Sequence, residues 1–385
     1  MKKCVVVSDS FKGTVSSREI CAIAQQVIPR HFPACEVVCI PVADGGEGTV
    51  DCFVQAMGAK RVGVTVTNAL GEKSAAAYAR LGELAIIEMA AAAGLPQVGA
   101  LRCPGTATTY GVGELIAHAV DSGCRKILLG LGGSATNDGG CGCAAALGVR
   151  FYDADGQSFV PVGDTLGRIA RIDTAEAEAL LRSVEITVMC DVTNPLYGPT
   201  GAAYVFAPQK GADAEKVKSL DAGLRHFGDV IRSQYGLDVG AMPGAGAAGG
   251  MGAGCVALLG GTIQSGIDAV LDVTGFDRQL EGADLVITGE GRIDSQSADG
   301  KVISGVARRT RAKGVPLIAI AGGIADSAGA VYDIGVSAMF STDRAALPVD
   351  MLGARSPGDY EATLFSPYSH NRAYGEGLIT GAPMT

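Results

Sequence analysis

Seven short clusters, most of them rich in glycine, hold between them carboxylates, hydroxyls and cations, the residue types that handle phosphate and carboxylate groups. Residues 8–14 read SDSFKGT. There Lys12 can meet an anion as a point charge, or stand solvated beside a helix cap. Residues 43–49 read ADGGEGT, where Asp44 and Glu47 flank a Gly-Gly turn. They can hold a divalent ion in an oxygen shell, or complement the dipole of the helix that follows. Residues 130–140 read GLGGSATNDGG. Glycine bares backbone N–H groups ahead of a helix, which makes an anion site with phosphate as its natural guest. The same stretch opens as G-x-G-x-x-A with Asp153 about 20 residues beyond, a dinucleotide fingerprint that a glycine-rich chain meets cheaply.

Further along, Asp191 to Leu196 reads DVTNPL. Asp191 and Asn194 can serve a reaction as base and ligand, or form an Asx turn before proline. Gln209-Lys210-Gly211 sets another cation in a turn. Residues 244–254, GAGAAGGMGAG, read equally as a close-packed helix or as a loop facing a nucleotide. Residues 289–296, GEGRIDSQ, alternate Glu290, Arg292 and Asp294. That spacing suits a carboxylate clamp with a base or metal ligand, or an ion-paired surface loop. Gly300-Lys301 has Ser295 and Val302 where the P-loop requires Gly and Ser or Thr, so the commonest NTPase class is excluded.

Composition narrows the partners. The formal charge of −9 repels a polyanion, no basic stripe offsets it, and Trp is absent, so nucleic acid is not expected. The most apolar stretch, Leu84 to Pro96, is broken by Glu88 and falls short of the ~18 residues a membrane span needs. Eleven cysteines without a C-x-x-C pair, and no histidine near a cysteine pair, argue for reduced, mostly buried thiols in the cytoplasm. Oligomeric state is open.

The elements that must position these clusters alternate. Strands are expected at Lys3–Val7, Cys35–Val42, Lys126–Leu129, Glu185–Cys190, Ala283–Thr288 and Pro316–Ala321. Helices are expected at Ser16–Ile28, Gly48–Met57, Thr106–Val120, Asp213–Gln234 and Lys301–Lys313, the first with Ser16 and Glu19 at capping-box spacing. Lys60 to Met89 reads as an antiparallel meander. The fold class is α/β, two domains with mainly parallel sheets, and the clusters fall at the carboxyl ends of strands, where such sheets bind ligands. The change of pattern implies a discontinuous domain at 1–60 and 283–385, a middle domain at 61–282 inserted into it, and a cleft between them. Residues 341–385 read as irregular.

Taken in order, DSFKGT at 9–14, PVADGGEGT at 41–49, GGSATNDGG at 132–140, CDVTNPLYGPTGAA at 190–203, APQKGA at 207–212, GAGAAGGMGAG at 244–254 and ITGEGRIDSQS at 287–297 resemble the class I glycerate kinase family. The likeness covers roughly residues 1–340, and the tail reads unlike the helical close usual in the family. The resemblance implies ATP-dependent phosphorylation of D-glycerate, usually to 2-phosphoglycerate, with ATP and Mg²⁺ and only small-molecule partners. Phosphoryl transfer then suggests roles. Gly133, Ser134, Thr136 and Asn137 cradle phosphate, with Lys12 or Lys210 as countercharge. Asp44, Asp138 and Asp191 are candidates to hold the metal, Asp191 or else Asp294 is the base, and Arg292 clamps the glycerate carboxylate beside Glu290 and Asn194. Competing expectations are 3-phosphoglycerate as product, a nicotinamide oxidoreductase, and a catalytically silent metabolite-binding protein.

Overall fold

The computed structural model describes residues 1–11, 14–42, 48–298, 302–343 and 355–364. Contacts divide the chain into two compact units, Met1–Ala43 with Val270–Thr385, and Asp44–Ala269. The boundaries fall at 43/44 and 269/270, whereas the sequence pattern places them at 60/61 and 282/283. Side-chain contacts explain the difference. Val50 N–H donates to the Glu88 carboxylate at 2.6 Å, which anchors the helix Thr49–Met57 in the second unit. Arg309 pairs with Asp272 at 2.7 Å and Asp277 at 3.3 Å, which ties residues 270–282 to the first.

The first unit is built on five parallel strands in the order Ala338–Ser341, Leu317–Ile324, Leu285–Ile293, Lys3–Ser8, Glu36–Pro41. Cys4, Val5, Val6 and Val7 are all buried, as expected of a strand covered on both faces. The helix Ser17–His31 starts where Ser16 and Glu19 close a capping box, and it lays Ile20, Ala24, Val27 and Ile28 on the sheet. Two sequence expectations are corrected here. The strand expected to end at Thr288 continues to Ile293, because Glu290, Arg292 and Ile293 stay in register with Ala321, Gly323 and Ile324. The tail is not irregular throughout: residues 356–364 are helical. Tyr360 is buried edge-on to Phe11 with ring centroids 5.7 Å apart, and Leu364 joins the same core.

The second unit carries a six-stranded sheet in the order Thr262–Gln264, Glu185–Met189, Lys126–Gly130, Leu84–Glu88, Lys73–Leu81, Lys60–Thr67. The first four pair in parallel, and Lys73–Leu81 pairs antiparallel with both Leu84–Glu88 and Lys60–Thr67. The meander is thus real, but its third strand also pairs in parallel with Lys126–Gly130. A separate three-stranded sheet, Arg150–Tyr152 with Ser158–Phe159 and Arg171–Asp173, has strands too short to show a period in sequence. Glu88, Gly130, Met189 and Gln264 stand abreast at the carboxyl edge of the large sheet. Among the described residues, no helix is long and apolar enough to cross a membrane.

Candidate active site

Beyond that carboxyl edge lies a cavity of about 460 Å³, wholly within the second unit. Its polar wall is Gly132, Gly133, Ser134, Asp191, Gln209 and Lys210. Leu95, Leu131, Met189, Val192, Phe206 and Ala248 supply the apolar wall. Both the volume and the mixed lining are those of a small-molecule site.

Lys210 is the chemical centre of this wall. It ends the short turn Pro208–Lys210 and is only 2% exposed. Its Nζ donates to Ser134 Oγ at 2.8 Å and to the Thr136 carbonyl at 2.7 Å. Burial pushes its pKa down to about 7, against the pull of the Asp138 charge. A lysine poised between charge states, fixed by two acceptors, can receive an anion without further rearrangement.

The loop 131–140 presents Gly133 and Ser134 because it is sewn down along its length. Gly133 takes a left-handed φ of +72°, and its carbonyl accepts Leu95 N–H at 2.8 Å. Ala135 N–H donates to the Ala93 carbonyl at 2.9 Å. Asp138 is fully buried and takes four donors: Thr109 N–H and Oγ1 at 2.8 Å each, Gly140 N–H at 3.1 Å and Gly142 N–H at 3.2 Å. Burial raises its pKa, with those four bonds acting in the opposite direction. Both oxygens of Asp138, expected as a metal ligand, accept these bonds, and the residue is not among those lining the cavity. Thr136 and Asn137 are likewise buried behind the wall, and the Thr136 hydroxyl and Asn137 amide have no hydrogen-bond partner among the described residues.

From the other side, residues 244–254 combine the two forms the sequence leaves open. The helix Ala247–Leu259 is interrupted at once by left-handed Ala248, Gly249 and Gly250. Gly249 accepts Gly139 N–H at 3.0 Å, and a Cβ there would lie 2.1 Å from the Thr136 carbonyl. The two glycine-rich stretches thus meet backbone to backbone, and only glycine permits that approach.

Asp191 follows the strand Glu185–Met189 and is exposed on the cavity wall, where its Oδ1 accepts Gly266 N–H at 2.7 Å. Asn194 spends its amide N–H on the Thr200 carbonyl at 2.8 Å and braces the turn. The remaining expected residues belong to the first unit. Glu290 is buried and accepts the Ser297 hydroxyl. Arg292 is exposed near the end of its strand. Asp294 accepts Gln296 N–H at 2.9 Å in the turn that follows. Lys12 and Asp44 lie outside the described residues. Leu95 and Phe206 went unnoticed in the sequence, where nothing separates a cavity-lining apolar side chain from a core one.

A dinucleotide reading fails on this geometry. After Gly130 the chain runs ten residues before the helix Cys141–Ala146 begins, instead of turning tightly into it. Asp153 accepts Asp155 and Gln157 N–H groups and pairs with Arg168 at 3.1 Å, away from the cavity.

Comparison with known proteins decides between the remaining readings. The family model described as "Glycerate kinase family" matches residues 4–363. The chain belongs to the glycerate kinase family. A glycerate kinase of Bacillus cereus is 47% identical over 342 residues, which are 88% of this chain and 90% of that protein. A glycerate 2-kinase of Escherichia coli is 44% identical over 342 residues, 88% of this chain and 90% of that one. A crystal structure assigned to glycerate kinase 2 of Salmonella typhimurium LT2 superposes with a TM-score of 0.85 at 40% identity, covering 96% and 98% of the two chains. This glycerate kinase is therefore an enzyme that uses ATP and small-molecule substrates, not a nicotinamide oxidoreductase or a silent binder. The match also reaches past residue 340, which corrects the limit the motifs alone suggested.

Proposed function

We propose that the enzyme transfers the γ-phosphoryl group of ATP to the 2-hydroxyl of D-glycerate, with Mg²⁺, in the cytoplasm. The observation that carries the reading is the buried Lys210 amine, held by Ser134 and the Thr136 carbonyl on the wall of a nucleotide-sized cavity. Glycerate has seven non-hydrogen atoms and would leave most of that space empty, whereas a nucleotide fills a cavity in this range. The triphosphate lies along Gly132, Gly133 and Ser134 with Lys210 as its countercharge. Asp191, exposed on the same wall, orients the attacking hydroxyl and takes its proton. In the first unit the exposed Arg292 offers a fork that suits a carboxylate, and Glu290 steadies the turn that carries Asp294 by accepting from Ser297.

Among the described residues, no three ligating side chains converge. Mg²⁺ would be held chiefly by phosphate oxygens and water, with Asp44, outside the described residues, as a further carboxylate. When bound, the ion neutralises charge on the transferring phosphoryl group. The free thiols of the ten described cysteines accord with a reducing compartment.

The test is ADP release in a coupled assay with ATP, Mg²⁺ and D-glycerate, the product then being offered to enolase. Glycerate-dependent ADP release with a product that enolase consumes directly is expected. Release no faster than without glycerate rejects the substrate, and a product that enolase leaves untouched moves the transfer to the 3-hydroxyl. Asp191→Asn should lower kcat by about 10²-fold or more, in line with loss of a positioned base.

A further inference from the structure

Ala248 is the one described residue other than glycine with a left-handed backbone, at φ 53° and ψ 40°. An L side chain at that conformation brings Cβ against its own carbonyl, which glycine avoids. The next two residues, Gly249 and Gly250, hold the same conformation as glycines. The strained position therefore carries a methyl where the two residues after it show how the bend is made without one. That methyl is not absorbed into core packing alone, since Ala248 lines the cavity together with Phe206, Leu95 and Val192, facing the site that Lys210 serves. Strain of this kind is held where the surrounding structure and the function of a site require it.

We propose that Ala248 is a specificity-determining residue whose methyl packs on the nucleoside part of the bound nucleotide. The inference rests on the assignment of this cavity to ATP. The apolar wall offers a surface for a base and sugar, while the polar wall with Lys210 and Ser134 takes the phosphates. The methyl then fixes how deeply the nucleoside enters, and so where the γ-phosphoryl group ends. Because the conformation is left-handed, glycine and, next best, asparagine are the replacements that keep the bend, so the chemistry at the position can be varied.

The experiment measures binding of a non-hydrolysable ATP analogue by calorimetry, alongside KM for ATP and for D-glycerate, in the parent, Ala248→Gly and Ala248→Asn. Ala248→Gly should weaken analogue binding about 4-fold, the loss of one buried methyl contact, with KM for D-glycerate unchanged. Ala248→Asn, which projects a carboxamide into the same space, should weaken it by about 10-fold or more. The melting temperature of Ala248→Gly should not fall, in contrast to an ordinary buried alanine, because relief of the backbone offsets the lost methyl. Analogue binding within about twofold of the parent in both variants overturns the inference, as does an effect confined to the KM for glycerate. A parent that turns over yet binds the analogue with Lys210, Ser134 and Ala248 all unprotected from exchange would instead reject the cavity assignment itself.

Discussion

With Lys210 as the proposed countercharge of the triphosphate, its proton occupancy is coupled to nucleotide binding. Its amine titrates near pH 7 in the free protein, because burial disfavours the charged form. A phosphate beside it favours the charged form, so nucleotide binding above pH 7 takes up a proton. Affinity is then greatest below about pH 7 and falls as pH rises past it, until the pKa of the bound state is reached. Titration calorimetry in two buffers of different ionisation enthalpy measures that uptake directly. Lys210→Met should abolish it, flatten the pH profile and lower kcat/KM by about 10²–10³-fold. The fold should survive, because an apolar chain of similar length replaces a charge that is costly to bury. The sign for stability follows from the same depression. The unfolded chain binds the extra proton between about pH 7 and 10.5, so this group's contribution to stability rises with pH across that window and is lowest below it. Preserved proton uptake in Lys210→Met would remove the lysine from the site. The sequence shows Lys210 as a cation in a glycine turn, but not that the turn folds inward. The bonds of Asp138 are illegible for the corresponding reason: its carboxylate accepts from Thr109, 29 positions earlier, a pairing that no spacing rule reveals.

At the scale of elements, the contact between the loop 131–140 and the interrupted helix at 247–259 holds the cavity wall in place. Gly249→Ala would set a Cβ 2.1 Å from the Thr136 carbonyl, a backbone atom that cannot move aside cheaply, and would add left-handed strain. Thr136 is the acceptor that fixes Lys210. The variant should therefore lose about 2–4 kcal/mol of stability and most of its nucleotide affinity together, measured by denaturant unfolding and analogue binding. Loss of stability with parental affinity would separate the two. The strands and helices that bury one clear stripe were legible, as at Ser16–Glu19, where the capping box sits as the spacing requires. Legibility failed where local composition contradicts long-range pairing. Gly-Glu-Gly-Arg reads as a turn, yet it is strand, because hydrogen bonds to residues 321–324 outweigh local preference. Residues 356–364 follow a stretch rich in turn formers, and their helix becomes evident only once Tyr360 and Leu364 are seen buried against the first unit.

For the whole molecule, topology sets an order of events. The second unit is continuous in sequence, at Asp44–Ala269, whereas the sheet of the first needs Lys3–Ser8 paired with Leu285–Ile293. Closing so large a loop delays that pairing. In pulsed hydrogen exchange during refolding, amides of Lys126–Gly130 and Glu185–Met189 should gain protection before those of Lys3–Ser8. The reverse order would contradict this sequence of assembly.

Synthesis on the ribosome sharpens the same point. Lys3–Ser8 leaves the exit tunnel long before Leu285–Ile293 and ends between Glu36–Pro41 and Leu285–Ile293 in the finished sheet. During most of translation one flank of this apolar strand has no permanent neighbour. Such a naked edge recruits strands from other nascent chains. Yield in a living cell then depends on chaperone cover over the first forty residues, and slowing elongation downstream should increase aggregation without altering the finished enzyme.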